Sequence, residues 1–369
     1  MTQVRLYMHN TYGRQISYVE AIREALDQSM DLDERVIVIG EGVPDPKAIF
    51  TSTAGLQEKY GKNRVFDMPL AENGVTGACI GAAISGMRPV MVHQRVDFAL
   101  LSLDQLINNA AKWYYMFNGQ SQVPLVIRMI IGRGWGQGPQ HSQSLQALFA
   151  LVPGLKVVMP TTAYDAKGMM IAAIKDNNPV IFIEHRWLHP IIDVVPELFY
   201  EVPIDRAKII CKGNDVTVAA FSYMTLEALI AVRALLSMAG ISVELIDMRS
   251  VRPLDTQTVI ESVRKTGRLI VADTAYKTGS IAAELINQVI EGTFASLKVA
   301  PVRLCSPDFP TPTAPSMTES YYPTPVTIAE AVLTLLEKDI ASSLYQQMLI
   351  SITRKGPHDI PNQEFKGPF

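Results

Sequence analysis

Glu72 stands near the front of Pro69-Leu-Ala-Glu-Asn-Gly-Val-Thr-Gly-Ala-Cys-Ile-Gly-Ala-Ala-Ile-Ser-Gly-Met-Arg-Pro89, a run that is otherwise small and apolar. Two chemistries suit an acid so placed. In the first turn of a helix, a carboxylate complements the macrodipole by roughly 0.3–1 kcal/mol. Held among Leu70, Ala71, Val75 and Ile80, it would instead be short of water and inclined to share a proton with a heterocyclic nitrogen. Position alone leaves both open. His141, in Gln140-His-Ser-Gln143, follows a glycine-rich stretch, Gly132-Arg-Gly-Trp-Gly-Gln-Gly-Pro139. A lone histidine is ordinarily a structural residue. Glycines, however, let backbone approach a ligand, and histidine is the side chain that exchanges protons near neutral pH. Asp176-Asn-Asn-Pro179 reads first as turn chemistry.

The elements that must hold these residues alternate between strand and helix. Val65-Phe66-Asp67 ends a strand, Pro69 forbids its ladder, a helix runs to about Gly86, and Arg88 to His93 is the next strand. Glu72 therefore falls at a strand-to-helix switch, where open α/β sheets take ligands. Gly77, Gly81 and Ser85 leave one helix face nearly bare, although each mid-helix glycine costs roughly 1 kcal/mol against alanine. Such a face suits the close approach of another helix or a flat ligand. Before it, Ser17-Tyr-Val-Glu20 is a capping box opening a helix to about Gln28, and Arg35 to Glu41 is a buried-type strand. A short helix over Gly55–Tyr60, a helix over Leu103–Phe117 and strands over Val123–Ile131, Lys156–Met159 and Val180–Glu184 are expected, with a helix over Ala163–Lys175. From Val216 to Leu304 the alternation repeats. The spacing predicts two parallel-sheet α/β domains, 1–190 and 205–340, joined by a Pro-rich linker at 191–204. An extension, 341–369, follows; Leu344, Met348, Leu349 and Ile352 in it suit one helix face.

At 369 residues, 48% apolar, 19% charged and with net charge −3, the chain suits a compact fold and no nucleic-acid footprint. Sixteen methionines in this composition suggest a subunit interface. Cys79, Cys211 and Cys305 lie far apart without metal spacing, residues 1–10 lack the apolar core of a secretory signal, and the expected compartment is the cytoplasm.

Leu-Ala-Glu-Asn-Gly-x-x-Gly-x-x-x-Gly-Ala-Ala-x-x-Gly-x-Arg-Pro resembles the beta subunit of the thiamin-diphosphate-dependent 2-oxoacid dehydrogenases, the decarboxylating component of the pyruvate and branched-chain complexes. That family is related to the pyrimidine-binding and C-terminal domains of transketolase. The resemblance covers roughly residues 14–335, including the His-Ser-Gln after the glycine loop. It implies that Glu72 bonds the cofactor's aminopyrimidine, drives it to the imino form and so removes the thiazolium proton. It implies that Phe98 stacks on the pyrimidine, that Gln94 lies beside it, and that His141 transfers protons or hands on the acyl group. It further implies a structural potassium ion on oxygens of Leu125, Ala173, Ile174, Asp176 and Asn178.

Three stretches depart from the family. His93-Gln-Arg-Val96 is more polar than in pyruvate dehydrogenases, Glu184-His-Arg-Trp-Leu-His189 carries other residues, and Thr274 replaces a common glutamate. These put substrate and acceptor in doubt. The Gly-Asp-Gly that in this cofactor class precedes the magnesium-diphosphate ligands is missing from the chain. A pyrimidine half-site without a diphosphate half-site implies an alpha subunit carrying Mg2+, in an α2β2 assembly. The implied activity is decarboxylation of a 2-oxo acid with transfer to an acceptor, a lipoyl-bearing acyltransferase where the enzyme joins a complex. A transketolase-like or acyloin-forming enzyme, and a non-catalytic assembly subunit, are the alternatives.

Overall fold

The computed structural model describes residues 13–47, 49–132 and 136–359. The chain divides into two compact units, the first holding the described residues up to 132 together with 148–204, the second holding 136–147 and 205–359.

The first unit opens with β1 (Gln15–Ser17), α1 (Tyr18–Leu32), β2 (Val36–Gly40), α2 (Leu56–Tyr60), β3 (Val65–Phe66), α3 (Glu72–Ile84) and β4 (Arg88–His93). It continues with α4 (Val96–Ala99), α5 (Ala111–Met116) and β5 (Val126–Ile131). After α6 (Gln146–Ala150), whose first two residues fall in the second unit, come β6 (Lys156–Val158), α7 (Ala163–Lys175), β7 (Val180–His185) and β8 (Ile192–Val194). Within the unit the order β6-β7-β5-β4-β2-β3 is parallel throughout. Every residue of β2, β5 and β7 is buried, the signature of strands covered on both faces. The expected capping box is formed: Ser17 and Glu20 satisfy each other's backbone N–H at the start of α1. Tyr18, Ala21, Ile22, Ala25 and Leu26 then make the buried stripe that packs on α7.

The structure departs from the expectation between β4 and β5. Helix begins at Val96 rather than Leu103 and is uneven, with a 3-10 turn over Leu100–Ser102 and a π-helical stretch over Gln105–Ala110. Arg95 offers no side-chain cap at that start, so the residues give no local signal of it. The stretch read as a linker, 191–204, is built into the first unit. Its β8 pairs antiparallel with β1, and Val202 N–H donates to Gly168 O at 3.1 Å. Gly168 permits that approach, since a Cβ there would lie 2.4 Å from Val202 Cγ2. Three-residue strands are too short for periodicity to disclose.

The second unit contains β9 (Lys208–Cys211), β10 (Val216–Ala220), α8 (Tyr223–Ala239), β11 (Val243–Asp247) and β12 (Ser250–Arg252). There follow α9 (Thr256–Thr266), β13 (Leu269–Tyr276), α10 (Ile281–Thr293), β14 (Val302–Ser306), α11 (Pro315–Thr318), α12 (Pro325–Leu335) and α13 (Ser343–Ile352). Its five-stranded sheet runs β14-β13-β10-β11-β9 and is mixed rather than all parallel, because β9 pairs antiparallel with β11. Lys208–Cys211 is a half-exposed edge strand whose burial pattern lacks the continuous apolar run of its neighbours. In the extension, α13 packs on α8 through buried Met348 and Leu349, while Leu344 of the expected face is 47% exposed.

Candidate active site

The carboxyl ends of β2, β3 and β4 bring four of the first unit's polar residues together. Glu41 directly follows β2, Asp67 follows β3, Gln94 follows β4, and Glu72 is the first residue of α3. Glu72 is 8% exposed, and its backbone carbonyl accepts hydrogen bonds from Thr76 Oγ1 (2.7 Å) and Ser102 Oγ (3.1 Å). Those hydroxyls fix the first turn of α3 from within. Of the apolar residues expected around Glu72, Ile80 is buried but Leu70 is 83% exposed, so the shielding on that side is not supplied by Leu70 in this chain. Asp67 Oδ1 accepts the N–H groups of Gly42 (3.0 Å) and Met68 (2.9 Å). Gln94 Nε2 donates to the Glu41 carbonyl at 3.2 Å. Burial, then the charges of Glu72 and Asp67, push the Glu41 carboxyl above the usual carboxylate range. Its Oε1 is buried without a hydrogen-bond partner among the described residues. A crowded carboxylate group with an unmet buried oxygen suits a heterocycle that both donates and accepts protons. Glu41 and Asp67 were not singled out from sequence; their place at the carboxyl ends of buried strands is the signal that finds them.

Phe98 lies in α4 and is half-buried. His93 and Arg95 are both buried, at 4% and 5% exposure, and burial lowers His93 to about 4, so it is neutral at physiological pH. The departure at Glu184–His189 forms a buried network. Glu184 of β7 meets Arg128 of β5 through two hydrogen bonds, the second at 3.0 Å, and His189 Nε2 lies 3.0 Å from Glu184 Oε2. Ser52 Oγ accepts from Arg128 at 2.6 Å. Burial alone would raise Glu184, yet Arg128's charge and the His189 contact hold it below its ordinary value. Next to it, the Arg186 guanidinium lies 3.7 Å from the Phe50 ring centroid, and burial, then Arg95's charge, lower it to about 9.

Of the five residues implied for potassium, Leu125, Ala173, Ile174 and Asp176 already have oxygens engaged by protein groups. Arg88 Nη1 donates to Ile174 O (2.8 Å) and Asp176 O (3.1 Å), and Lys156 bonds the Asp176 carboxylate. Leu125 O accepts from Val180 and Ala173 O from Asp176, while Asn178 N–H donates to Asp176 Oδ1 at 2.9 Å. This set does not fit a potassium ion, because Arg88 and Lys156 already bring cationic charge to it.

His141 belongs to the second unit, where it is half-buried. Its N–H reaches back to Gly138 O at 3.4 Å. Beyond it, fully buried Gln146 donates through Nε2 to Asp273 Oδ1 at 2.5 Å, and Asp273 is itself fully buried. Burial raises Asp273 to about 6. A carboxyl raised on folding contributes stability below its unfolded value and loses it as pH climbs through the folded one. Asp273→Asn is therefore expected to be near neutral at about pH 4 and stabilising by up to about 3 kcal/mol at about pH 8. Urea midpoints of the two chains at both pH values check this; a gain of equal size at both would overturn it.

Comparisons with known proteins place the chain in a family. Residues 14–190 match the family described as transketolase, pyrimidine binding domain, and residues 205–328 match transketolase, C-terminal domain. The acetoin:2,6-dichlorophenolindophenol oxidoreductase subunit beta of Cupriavidus necator is 42% identical over 329 residues, covering 86% of this chain and 97% of the relative. The chain belongs to the transketolase-like family of 2-oxoacid dehydrogenase beta subunits. Other members similar to it are the pyruvate dehydrogenase E1 component subunit beta of Acholeplasma laidlawii, 42% identical over 81% of this chain and 91% of its own length, and the 2-oxoisovalerate dehydrogenase subunit beta of Bacillus subtilis, 40% identical over 87% and 99%. A solved structure titled "Split gene transketolase, inactive beta4 tetramer" shares the fold, with TM-score 0.69 at 23% identity over 87% of this chain and 98% of that one. Among the described residues no helix is long and apolar enough to cross a membrane.

Proposed function

We propose that the chain is the beta-type subunit of a thiamin-diphosphate enzyme that decarboxylates a 2-oxo acid and passes the acyl group to an acceptor, a lipoyl-bearing acyltransferase where the enzyme joins a complex. The observation that carries this reading is the Glu72 carboxylate at the start of α3, beside the unmet Glu41 oxygen at the end of β2. Glu72, Gln94 and Phe98 would hold the pyrimidine half. When bound, the cofactor supplies an electron sink for breaking the bond next to a carbonyl. Glu72 would exchange a proton with a ring nitrogen, and Glu41, whose carboxyl is raised by burial and by the charges of Glu72 and Asp67, belongs to the same acidic group. Phe98 orients the ring by stacking, worth about 0.5–1.5 kcal/mol beyond its buried area. His141 moves protons on the acceptor side.

An alpha partner would bring the diphosphate and Mg2+, most simply as α2β2. Three things support it: the missing Gly-Asp-Gly, relatives named as subunits, and an apolar exterior. Leu70, Leu101, Tyr115 and Met116 are 83%, 63%, 88% and 57% exposed, and Gly74, Gly81 and Ser85 leave α3 open on one side. A Cβ on Gly74 or Gly81 would meet nothing within 4 Å. The cytoplasm is the proposed compartment, supported by three cysteines that form no disulfide.

A second reading, thiamin chemistry on an acyloin, is favoured by the acetoin-named relative and by the polar departures at His93–Arg95 and Glu184–His189. Calorimetric titration of thiamin diphosphate with magnesium decides the cofactor. The chain alone is expected to bind at least about 100-fold more weakly than the chain assembled with a Gly-Asp-Gly-bearing partner. Equal binding by the isolated chain would overturn the split site, and activity of the assembly on pyruvate, 2-oxoisovalerate and acetoin separates the two readings.

A further inference from the structure

The family match ends at residue 328, yet the chain continues, and its last described residues return to the loop that carries His141. We propose that Asp359 is a positioning residue that holds the start of this loop, so that the C-terminal extension becomes part of the catalytic apparatus. The inference rests on the reading of His141 given above.

The extension is fixed before it reaches the loop. Helix α13 is seated on α8 by Met348 and Leu349, at 0% and 6% exposure, and from Thr353 the chain runs on to Asp359. Asp359 is 3% exposed, and its Oδ2 accepts the Gly136 N–H at 2.8 Å. A carboxylate is seldom buried unless its oxygens are engaged. Here one oxygen is committed to the loop backbone and the other, Oδ1, is buried without a hydrogen-bond partner among the described residues.

The loop is shaped to receive this contact. Gly136 and Gly138 adopt φ of +68° and +69°, the left-handed region that glycine enters without strain. A Cβ on Gly136 would lie 3.3 Å from Thr313 O, and one on Gly138 would lie 2.5 Å from Thr313 Oγ1. The loop therefore rests on the Pro-rich segment around Thr313 with no space to spare. At its far end Gln146 is tied to Asp273 at 2.5 Å and lies 3.4 Å from Thr274 Oγ1. His141 stands midway between the Asp359 anchor at Gly136 and the Asp273 anchor at Gln146. A glycine-rich segment held at both ends explores far fewer conformations than one held at a single end. A proton-transferring side chain needs that restriction, since a misplacement of about 1 Å can cost on the order of 100-fold in rate.

The test uses the enzyme assembled with its alpha partner and compares Asp359→Ala, Asp359→Asn and a chain ending at Ile352 with the parent. Backbone hydrogen exchange at Gly136 is expected to rise about tenfold in Asp359→Ala, the factor set by losing one ordinary hydrogen bond. With it, kcat should fall by about 10- to 100-fold while KM for the 2-oxo acid and cofactor affinity stay within about threefold. Asp359→Asn, which keeps an acceptor oxygen, should restore most of both. Unchanged exchange at Gly136 in Asp359→Ala would overturn the anchor. Raised exchange with unchanged kcat would overturn the positioning role, provided His141→Ala is itself impaired. Should His141→Ala turn over normally, the reading of His141 fails separately and the exchange result alone decides the anchor. If the shortened chain does not assemble, the two point variants carry the test.

Discussion

Replacing Glu72 by Gln should lower turnover of the assembled enzyme by roughly 10²- to 10⁴-fold, the range that a positioned proton-transfer group supplies. The substitution keeps side-chain volume and hydrogen-bonding capacity and removes only the ionisable proton site. Glu72's structural work is done by its backbone carbonyl, which takes the Thr76 and Ser102 hydroxyls, and Gln leaves those bonds intact. Stability of the free chain should therefore change by less than about 0.5 kcal/mol. Cofactor affinity is expected to weaken by no more than about tenfold, since the diphosphate end carries most of the binding. Steady-state rates with calorimetry on the same assembly check all three. A variant that turns over at the parent rate would remove Glu72 from the proton path.

Arg128→Met should destabilise the first unit by about 3–5 kcal/mol, the usual cost of removing one partner of a buried ion pair. Arg128 and Glu184 are both fully buried at the centre of the parallel sheet; Ser52 adds a bond to Arg128 and His189 one to Glu184, while Arg128 Nη1 has no partner among the described residues. Without Arg128 the Glu184 charge loses its permanent cationic partner, so Glu184 or His189 must take up a proton or water must enter. The double variant Arg128→Met, Glu184→Gln leaves no uncompensated charge and should recover at least about half of the loss. Chemical denaturation of the four chains of this cycle measures it. A single variant within about 1 kcal/mol of the parent would show that the pair is not what fixes β5 against β7.

How much of this was legible before the coordinates depends on the length of the signal. Strands such as Val36–Gly40 and helices such as Ala163–Lys175 carry enough periodic residues to be read directly, and they are where the spacing put them. The place of Glu72 at a strand-to-helix switch could be read from a strand end, a proline and a helix start, while the chemistry expected of it came from the family resemblance. The β1–β8 pair escaped because three residues cannot establish an alternation, and the early helix at Val96 because no capping residue announces it. Glu41 and Asp67 escaped for a different reason: an acid at the end of a strand is unremarkable until the sheet order places two strand ends side by side. The potassium oxygens illustrate the reverse case. Backbone carbonyls carry no residue code, and only coordinates could reveal Arg88 already bonded to them.

The gathering of Glu41, Asp67 and Glu72 at one rim has a bearing on how an amphoteric guest is sorted. On the proposed reading such a rim would repel polyphosphate and favour an amine-bearing ring, so the two ends of such a molecule would be told apart at a distance, ahead of any fitting. Added salt would blur that discrimination first. Orientation errors during loading, rather than loss of affinity, are then the earliest symptom of neutralising the rim.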